Sequence, residues 1–227
     1  MTPLIVIRPE PGCSATIAAA RQMGLEALGF ALFSITSKGW DPAAAEDFDA
    51  LLIGSANALR HGGKCLVQYA GKPAYVVGEA TAAAARDAGL IIAASGTGGL
   101  QEVLDRAVHP RLLRLAGEDH VALEPPPGIT LTQRIVYASR ALPMSAALAK
   151  MLAAPAVVML HSAAAVRHFA AECERLGLDR SQITLVVIGP RGTQAAGPGW
   201  RRIGTAAEPS DHALLALAER LCQTAAS

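Results

Sequence analysis

The amino-acid sequence predicts an α/β fold with parallel β-sheets in two domains, the second inserted into the first. Short apolar runs alternate with alanine-rich stretches of helical pattern along the whole chain. The runs are apolar throughout rather than alternating with polar residues, which is typical of strands that helices cover on both faces. Parts of the pattern occur twice, which indicates two related sheets.

The composition agrees with a large buried core. The chain has 227 residues, of which 52% are hydrophobic and 17% are charged. This length fits one large domain or two compact ones, and the apolar content excludes general disorder. The many alanines favour helices between the strands.

Each apolar run is assigned to a strand and each following alanine-rich stretch to a helix. The first strand is Leu4–Ile7, and the first helix runs from about Ser14, a suitable N-cap, to Met23. The next strand is predicted over residues 30–35. Further strands are predicted over residues 50–53, 75–77, 90–92, 112–115, 135–137, 157–160, 184–188 and 202–204.

An internal repeat indicates how the domains are connected. Residues 50–60 parallel residues 157–167, and residues 75–81 parallel residues 186–193. The counterpart of residues 4–35 is residues 112–137, which end the second domain instead of beginning it. A second domain inserted into the first explains this order. The predicted boundaries are residues 1–34 and 155–227 for domain one, residues 46–132 for domain two, and residues 35–45 and 133–154 for two linker segments.

The charge balance excludes some partners. Lys and Arg total 20 and Asp and Glu total 19, which gives a net charge of +1. A nucleic-acid partner is therefore not expected. Aromatic residues make up 4% of the chain, which argues against stacking on single strands.

Membrane, metal and disulfide sites are not expected either. No apolar run approaches the roughly 20 residues of a membrane-spanning helix, and the N-terminus lacks the pattern of a signal peptide. The cysteines are far apart and form no CxxC pair, and the histidines show no ligand spacing. These features predict a cytoplasmic protein with reduced thiols and no metal.

Short motifs follow one another in a characteristic order along nearly the whole chain. They are Arg8-Pro9, Gly54-Ser55-Ala56-Asn57-Ala58, Val77-Gly78-Glu79-Ala80-Thr81, Ala116-Gly117-Glu118, Val136-Tyr137, Leu160-His161-Ser162 and Ile188-Gly189-Pro190. No single motif is specific, but their order and spacing together are. With these motifs, the chain resembles the uroporphyrinogen-III synthase family over nearly its whole length.

The resemblance implies both a fold and a reaction. The expected fold has two flavodoxin-like domains joined by a two-stranded linker. The expected reaction converts the linear tetrapyrrole hydroxymethylbilane into uroporphyrinogen III, with inversion of the last pyrrole ring and loss of water. No cofactor is implied, and a monomer is expected.

The resemblance also assigns candidate site residues. It implies that Tyr137 is the acid that assists departure of the hydroxyl group, whereas the residue pattern alone also fits an ordinary strand tyrosine. Small residues at helix starts let backbone amides bind the many substrate carboxylates, although Ser55 and Ser162 also fit simple helix caps. The substrate-binding candidates are Arg8, Ser55, Ala56, Asn57, Gly78, Glu79, Thr81, Gly117, His161, Ser162, Ala163, Gly189, Pro190, Arg191, Gly192 and Thr193.

Three departures from the family pattern keep alternatives open. Gly192 stands where the family often has a hydroxyl residue, residues 96–99 are glycine-rich, and Pro125–Pro127 predict that a helix after Gly117 is short. One alternative is a non-catalytic regulatory module that binds tetrapyrroles or other anions. Another is a nucleotide or sugar-phosphate enzyme, although the chain lacks a phosphate-binding fingerprint.

Overall fold

The computed structural model of the chain describes residues 2–208 and 210–224. Residue contacts divide the chain into two compact units. Unit 1 contains the described residues up to Ser34 and those from Ala141 onward, and unit 2 is Ile35–Arg140. Within the described ranges, every helix falls short of the length and hydropathy that a membrane span needs.

The predicted linkers relate to this division in different ways. Residues 35–45 lie wholly in unit 2, and residues 133–154 are divided between the units. The assignment of these segments as linkers, and the domain boundaries, stay a prediction. Met1, Pro209 and residues 225–227, which the prediction places in domain one, lie outside the described residues.

Strands and helices alternate along the chain, and the α/β fold class is confirmed. The strands are β1 (Leu4–Val6), β2 (Ala27–Gly29), β3 (Phe33–Ser37), β4 (Ala50–Ile53), β5 (Pro73–Val77), β6 (Ile91–Gly96), β7 (Arg111–Gly117), β8 (Thr130–Ala141), β9 (Ala156–Leu160), β10 (Ile183–Val187) and β11 (Arg202–Thr205). The helices are α1 (Gly12–Gln22), α2 (Ala56–His61), α3 (Glu79–Asp87), α4 (Leu100–Asp105), α5 (Ala146–Met151), α6 (Ala163–Arg175), α7 (Pro190–Ala196) and α8 (Asp211–Thr224). Short 3-10 helices lie at Ala45–Asp47, Lys64–Tyr69 and Arg180–Gln182.

Unit 1 is built on a parallel sheet in the order β11-β10-β9-β1-β2. Alternate residues of its buried strands face opposite sides of the sheet. Val158 packs with Phe169 of α6 and Leu148 of α5, whereas Val157 packs with Leu214 of α8. Because helices cover both faces, the central strands β1 and β9 are apolar throughout, as the sequence pattern predicts, and β10 has one polar residue, the buried Thr184.

Unit 2 is built on a sheet in the order β3-β8-β7-β4-β5-β6. The strands from β8 to β6 are parallel neighbours, and β3 joins them at the edge to make a mixed sheet. One face packs on α2 and α3 through Leu51 and Leu113, and the other packs on α4 through Leu52 and Leu112. This sheet carries its own core, which is separate from that of unit 1.

The single strand predicted over residues 30–35 is wrong. The structure has two strands there, β2 and β3, and they belong to different sheets. Between them, the N–H of Phe30 donates to the carbonyl of Val6 and that of Leu32 to the carbonyl of Ile7, so the chain stays beside β1 until residue 32. An apolar run shows that a segment is buried but does not show which sheet it joins.

The short helix predicted after Gly117 is also wrong, because residues 118–129 contain no helix. Consecutive prolines at 125–127 remove the N–H groups that a helix needs. Side chains bind the backbone instead: the amide of Gln101 donates to the carbonyl of Glu124, and its oxygen accepts from the N–H of Glu124. The segment is therefore an ordered connection between two parallel strands.

The first helix begins two residues before the predicted cap. α1 starts at Gly12, and Ser14 lies in its first turn. The carboxylate of Glu10 accepts hydrogen bonds from the backbone N–H and the hydroxyl of Ser14, at 3.0 and 2.9 Å. Glu10 therefore performs the capping that the sequence assigned to Ser14.

Candidate active site

The carboxyl ends of the unit 2 strands meet at one edge of the sheet. β4, β5 and β7 are parallel neighbours, and the residues at or just beyond their ends are Ser55, Gly78 and Gly117. Tyr137 of β8 pairs with Gly117. These residues lie along one row, the unit 2 edge, and ligands of parallel α/β sheets bind at such edges.

Tyr137 is placed by an irregularity in strand pairing. Ala116 pairs with Ile135 but Gly117 pairs with Tyr137, so Val136 is an extra residue that forms a β-bulge. The phenol ring packs directly on residue 117, where a Cβ atom would lie 2.6 Å from Cζ and 2.8 Å from the phenol oxygen. Glycine at 117 therefore provides the space that the ring occupies.

The phenol group of Tyr137 is free to bind a ligand. The residue is half-buried, and its hydroxyl forms no hydrogen bond with the described residues. Its carbonyl accepts from the N–H of Glu118 at 2.9 Å, and its ring centroid lies 6.5 Å from that of His61. A phenol held in this way can donate a proton to a bound molecule.

A chain of polar side chains supports the backbone beneath Tyr137. The buried guanidinium of Arg114 donates to Gln133 Oε1 at 3.0 Å and to the carbonyl of Val121 at 2.9 Å. Gln133 Nε2 lies 2.7 Å from His120 Nε2, and His120 Nδ1 lies 2.9 Å from the carbonyl of Gly117. This network assigns the imidazole hydrogen to Nδ1. Burial lowers the pKa of Arg114 because the cation loses water, and the phenol of Tyr137 opposes this shift.

Two cations share one carboxylate at the unit 2 edge. Lys38 Nζ lies 2.6 Å from Glu118 Oε1, and Arg140 Nη1 lies 2.9 Å from Glu118 Oε2. The hydrogen bond from Lys38 and the charge of Arg140 hold the pKa of Glu118 below its usual value. Both cations are partly exposed and can also meet an incoming anion.

Ser55 caps α2, and the residues after it open the helix. Its hydroxyl oxygen accepts from the N–H of Asn57 at 3.2 Å. Ala56 is buried against the core, and Asn57 is half-buried. This turn caps the helix and lies at the unit 2 edge, and the first amides of a helix have no partner within it.

The Gly78 turn opens α3 through a conformation that favours glycine. Its φ is 78°, in the left-handed region. Thr81 is buried, and its N–H donates to the carbonyl of Gly78 at 3.1 Å. Glu79 is exposed and pairs with Arg86 at 2.7 Å, so its carboxylate is directed along the helix surface.

The carboxyl ends of the unit 1 strands form a second row, the unit 1 edge. Arg8 follows β1, His161 follows β9 and Gly189 follows β10, and these strands are neighbours in the sheet. Ser162 caps α6 by accepting from the N–H of Ala165 at 3.1 Å. Ala163 is the first residue of that helix.

The turn after β10 carries the remaining candidates. Gly189 precedes Pro190, the first residue of α7. Gly192 is buried against Val187, where an added Cβ atom would lie 3.0 Å from the valine Cβ. The Thr193 hydroxyl lies 2.7 Å from that of Thr205, and Arg191 is exposed.

A charged cluster holds Arg8 at the unit 1 edge. Its Nη1 lies 2.6 Å from Asp211 Oδ2 and 3.3 Å from Thr16 Oγ1. His161 Nε2 lies 3.6 Å from Asp211 Oδ1. Burial, reinforced by the charge of Arg8, lowers the pKa of His161 to about 4 and outweighs the opposing effect of Asp211. His161 is therefore neutral near pH 7.

The structure gathers the predicted site residues into two rows, one in each unit. The sequence prediction missed Asp211, Lys38, Arg140 and the Arg114 network. Asp211 lies 203 residues after Arg8 in the sequence, so no local spacing could have indicated their pairing. In residues 2–208 and 210–224, no three His, Cys, Asp or Glu side chains are placed to hold a metal ion.

Comparison with protein families identifies one family, and comparison with solved structures supports the fold. The family model described as uroporphyrinogen-III synthase HemD matches residues 14–216. The chain is similar in structure to uroporphyrinogen-III synthetase from Helicobacter pylori 26695, with 18% identity, a TM-score of 0.62, and coverage of 97% of this chain and 100% of that one. It is also similar to a mutant uroporphyrinogen III synthase from Thermus thermophilus, with 14% identity, a TM-score of 0.52, and coverage of 98% and 99%. At these identities the two structures support the fold alone. No curated protein sequence matches the chain.

Proposed function

Because the chain belongs to the uroporphyrinogen-III synthase family, we propose that Tyr137 is its proton donor and that the two edges bind its substrate. The activity is the cyclisation of hydroxymethylbilane to uroporphyrinogen III, with inversion of the last pyrrole ring and loss of water, in tetrapyrrole biosynthesis. The observation that carries the proposal is the position of the Tyr137 phenol, which lies beside the carboxyl end of β7 and has no hydrogen-bond partner among the described residues.

The proposed role of Tyr137 is to assist loss of water. Its phenol gives a proton to the hydroxyl of the first ring's hydroxymethyl group as the carbon–oxygen bond breaks, and water leaves. As the oxygen leaves, the pyrrole nitrogen donates its electron pair into the ring and stabilises the positive charge that develops on that carbon. The substituted carbon of the last ring then attacks the carbon that lost its hydroxyl, and the bond from that ring carbon to its original bridging carbon breaks. The freed bridging carbon bonds to the unsubstituted carbon of the same ring, which inverts the ring, and the proton that this carbon loses restores the phenol.

Much of the remaining contribution is positioning, since the unassisted chain closes without inversion. The substrate carries many carboxylates, and Arg8, Lys38 and Arg140 provide partly exposed cations at the edges. The helix starts at Gly78 and Ser162 add backbone amides and the positive end of the helix dipole. Together these groups support carboxylate binding by a chain whose net charge is only +1.

The other candidates fall into the same two binding rows. In unit 2 they are Ser55, Ala56, Asn57, Glu79, Thr81 and Gly117; in unit 1 they are His161, Ala163, Gly189, Pro190, Arg191, Gly192 and Thr193. Contact through backbone amides is proposed for the small residues. Arg191 is proposed to pair with a carboxylate, because its side chain is exposed.

We also propose a cytoplasmic monomer that acts without nucleic acid. The near-neutral charge supports the last point, and the free thiols of Cys13, Cys65, Cys173 and Cys222 fit a reducing compartment. The alternative of a regulatory module and that of a phosphate enzyme gain no support from the family match, which is to the cyclising enzyme.

Product analysis tests the proposed function. The purified chain is incubated with freshly made hydroxymethylbilane, and the isomers are separated after oxidation to porphyrins. We expect the type III isomer, formed at a rate proportional to protein concentration. Formation of the type I isomer alone, at the rate seen without protein, would contradict the proposal.

A further inference from the structure

Asp211 connects the last helix to the first strand of unit 1. It is the first residue of α8, and its Oδ2 lies 2.6 Å from Arg8 Nη1. A carboxylate in the first turn of a helix is favourable for the helix by itself. The contact with Arg8 is an additional feature, because it fixes one end of the guanidinium that stands at the unit 1 edge.

The guanidinium of Arg8 is held on one side only. Nη1 bonds to both Asp211 and Thr16, whereas neither Nε nor Nη2 forms a hydrogen bond with the described residues. The side chain lies close against the start of α1, where a Cβ atom at residue 12 would be 2.5 Å from Nε. Gly12 therefore gives Arg8 the space to adopt this position, and Nε and Nη2 have no hydrogen-bond acceptor among the described residues.

Beside this pair, His161 is a second polar side chain whose hydrogen-bonding capacity is not satisfied. Its side chain is only 10% exposed, and neither ring nitrogen has a hydrogen-bond partner among the described residues. Buried polar groups are normally paired, since an unpaired one is costly. Asp211 Oδ1 is the near neighbour, at 3.6 Å from Nε2. The cluster of Arg8, His161 and Asp211 thus has unused donors on the Arg8 side.

We propose that Asp211 is a positioning residue for substrate binding: it holds Arg8 through Nη1 and directs Nε and Nη2 toward a substrate carboxylate, with His161 as the second polar group of that subsite. The proposal rests on the proposed function for the identity of the ligand.

The geometry distinguishes this positioning role from that of a residue that competes with the substrate carboxylate for Arg8. Carboxylates prefer to bind arginine through two parallel hydrogen bonds. Asp211 uses Nη1 alone, so it does not occupy the face formed by Nε and Nη2. A residue that stood in for the substrate would occupy that face. Asp211 therefore supports the binding group and does not block it.

Asp211→Asn tests the proposal through the Michaelis constant. We expect KM for hydroxymethylbilane to rise about fivefold, with kcat little changed, because a charge-assisted contact that aligns Arg8 is weakened. Asp211→Glu should recover part of the loss. A lower KM would identify Asp211 as a competitor of the substrate, and an unchanged KM would restrict it to a structural role; either result would overturn the proposal.

A matched control distinguishes the loss of an ion pair in general from the loss of the ion pair at the proposed subsite. Asp49 pairs with Arg111 at 2.6 Å, at the amino ends of β4 and β7. Asp49→Asn should leave KM unchanged. In an Arg8→Met background, Asp211→Asn should produce no further rise in KM, and a further rise would contradict action through Arg8.

Binding of uroporphyrin III, followed by fluorescence, separates failure of this proposal from failure of the proposed function. It requires no turnover. Weaker binding by Asp211→Asn but not by Asp49→Asn would support the positioning role even if the chain made no type III isomer. Equal affinities of the wild type and Asp211→Asn would overturn the positioning role even if the wild type were active.

Discussion

The unit 1 edge and the unit 2 edge hold their principal residues by different means. In unit 2, the backbone sets Tyr137: a β-bulge turns it and Gly117 receives its ring. In unit 1, side chains set Arg8 through Asp211 and Thr16. A backbone feature fixes one position closely, as the proposed role of Tyr137 as a proton donor requires, whereas side-chain pairs can adjust to an anion.

Because of this difference, substitutions at the two edges should affect different kinetic constants. Changes that displace Tyr137 should reduce kcat, since a misplaced proton donor cannot assist bond breaking. Changes around Arg8 should mainly raise KM, since they weaken binding of a carboxylate that does not react. The predictions below test this division.

Among changes to the surroundings of the two principal residues, the largest effect is expected from Gly117→Ala. The added Cβ atom would lie 2.6 Å from Tyr137 Cζ, so the ring must move. We expect kcat to fall on the order of 10²-fold, because small misplacements of a reacting group have effects of that size. The control is Gly39→Ala, since a Cβ atom there has no neighbour within 4 Å and should leave kcat unchanged. Normal turnover by Gly117→Ala would show that the ring position is not critical.

A smaller effect is expected from Gln133→Met, which breaks the connection between Arg114 and His120. The carbonyl of Gly117 then loses a fixed partner, and we expect kcat to fall about threefold to tenfold, because the support of the proposed proton donor is loosened rather than removed. Gln101→Met is the control, because Gln101 binds the same connecting segment only at Glu124. If both variants reduced kcat equally, general loosening of the segment would explain the result.

The smallest effect on activity is expected from His161→Leu, and its clearest consequence concerns stability at low pH. The pKa of His161 is about 4 in the folded chain and near 6.5 when unfolded, so the unfolded state binds the proton more readily. The wild type should therefore lose stability as the pH falls from about 6.5 to 4, by up to about 3 kcal/mol.

Urea unfolding at several pH values across that window measures the effect. His161→Leu should show a shallower loss of stability than the wild type over this window. Identical slopes for the wild type and His161→Leu would contradict the neutral, buried state of this imidazole.

Local patterns in the sequence predicted most strands and the position of Tyr137 on a strand. They failed where long-range pairing decides the structure. The run at 30–35 divides between two sheets, and the pairing of Arg8 with Asp211 joins opposite ends of the chain. The bulge at Val136 also has no local signal, because it depends on the register with β7. Residues 118–129 were predicted to include a helix because the family pattern outweighed the three prolines.

The turnover of Tyr137→Phe tests the central claim most directly. The substitution keeps the ring on Gly117 and removes only the hydroxyl. Tyr75→Phe is the matched control, since the Tyr75 hydroxyl bonds to His109 and to the N–H of Val108 and has no proposed role in the reaction. We predict a fall in kcat on the order of 10²-fold for Tyr137→Phe, with KM and the folded state retained, and no comparable fall for Tyr75→Phe. Wild-type kcat in Tyr137→Phe would contradict the assignment of Tyr137 as the proton donor.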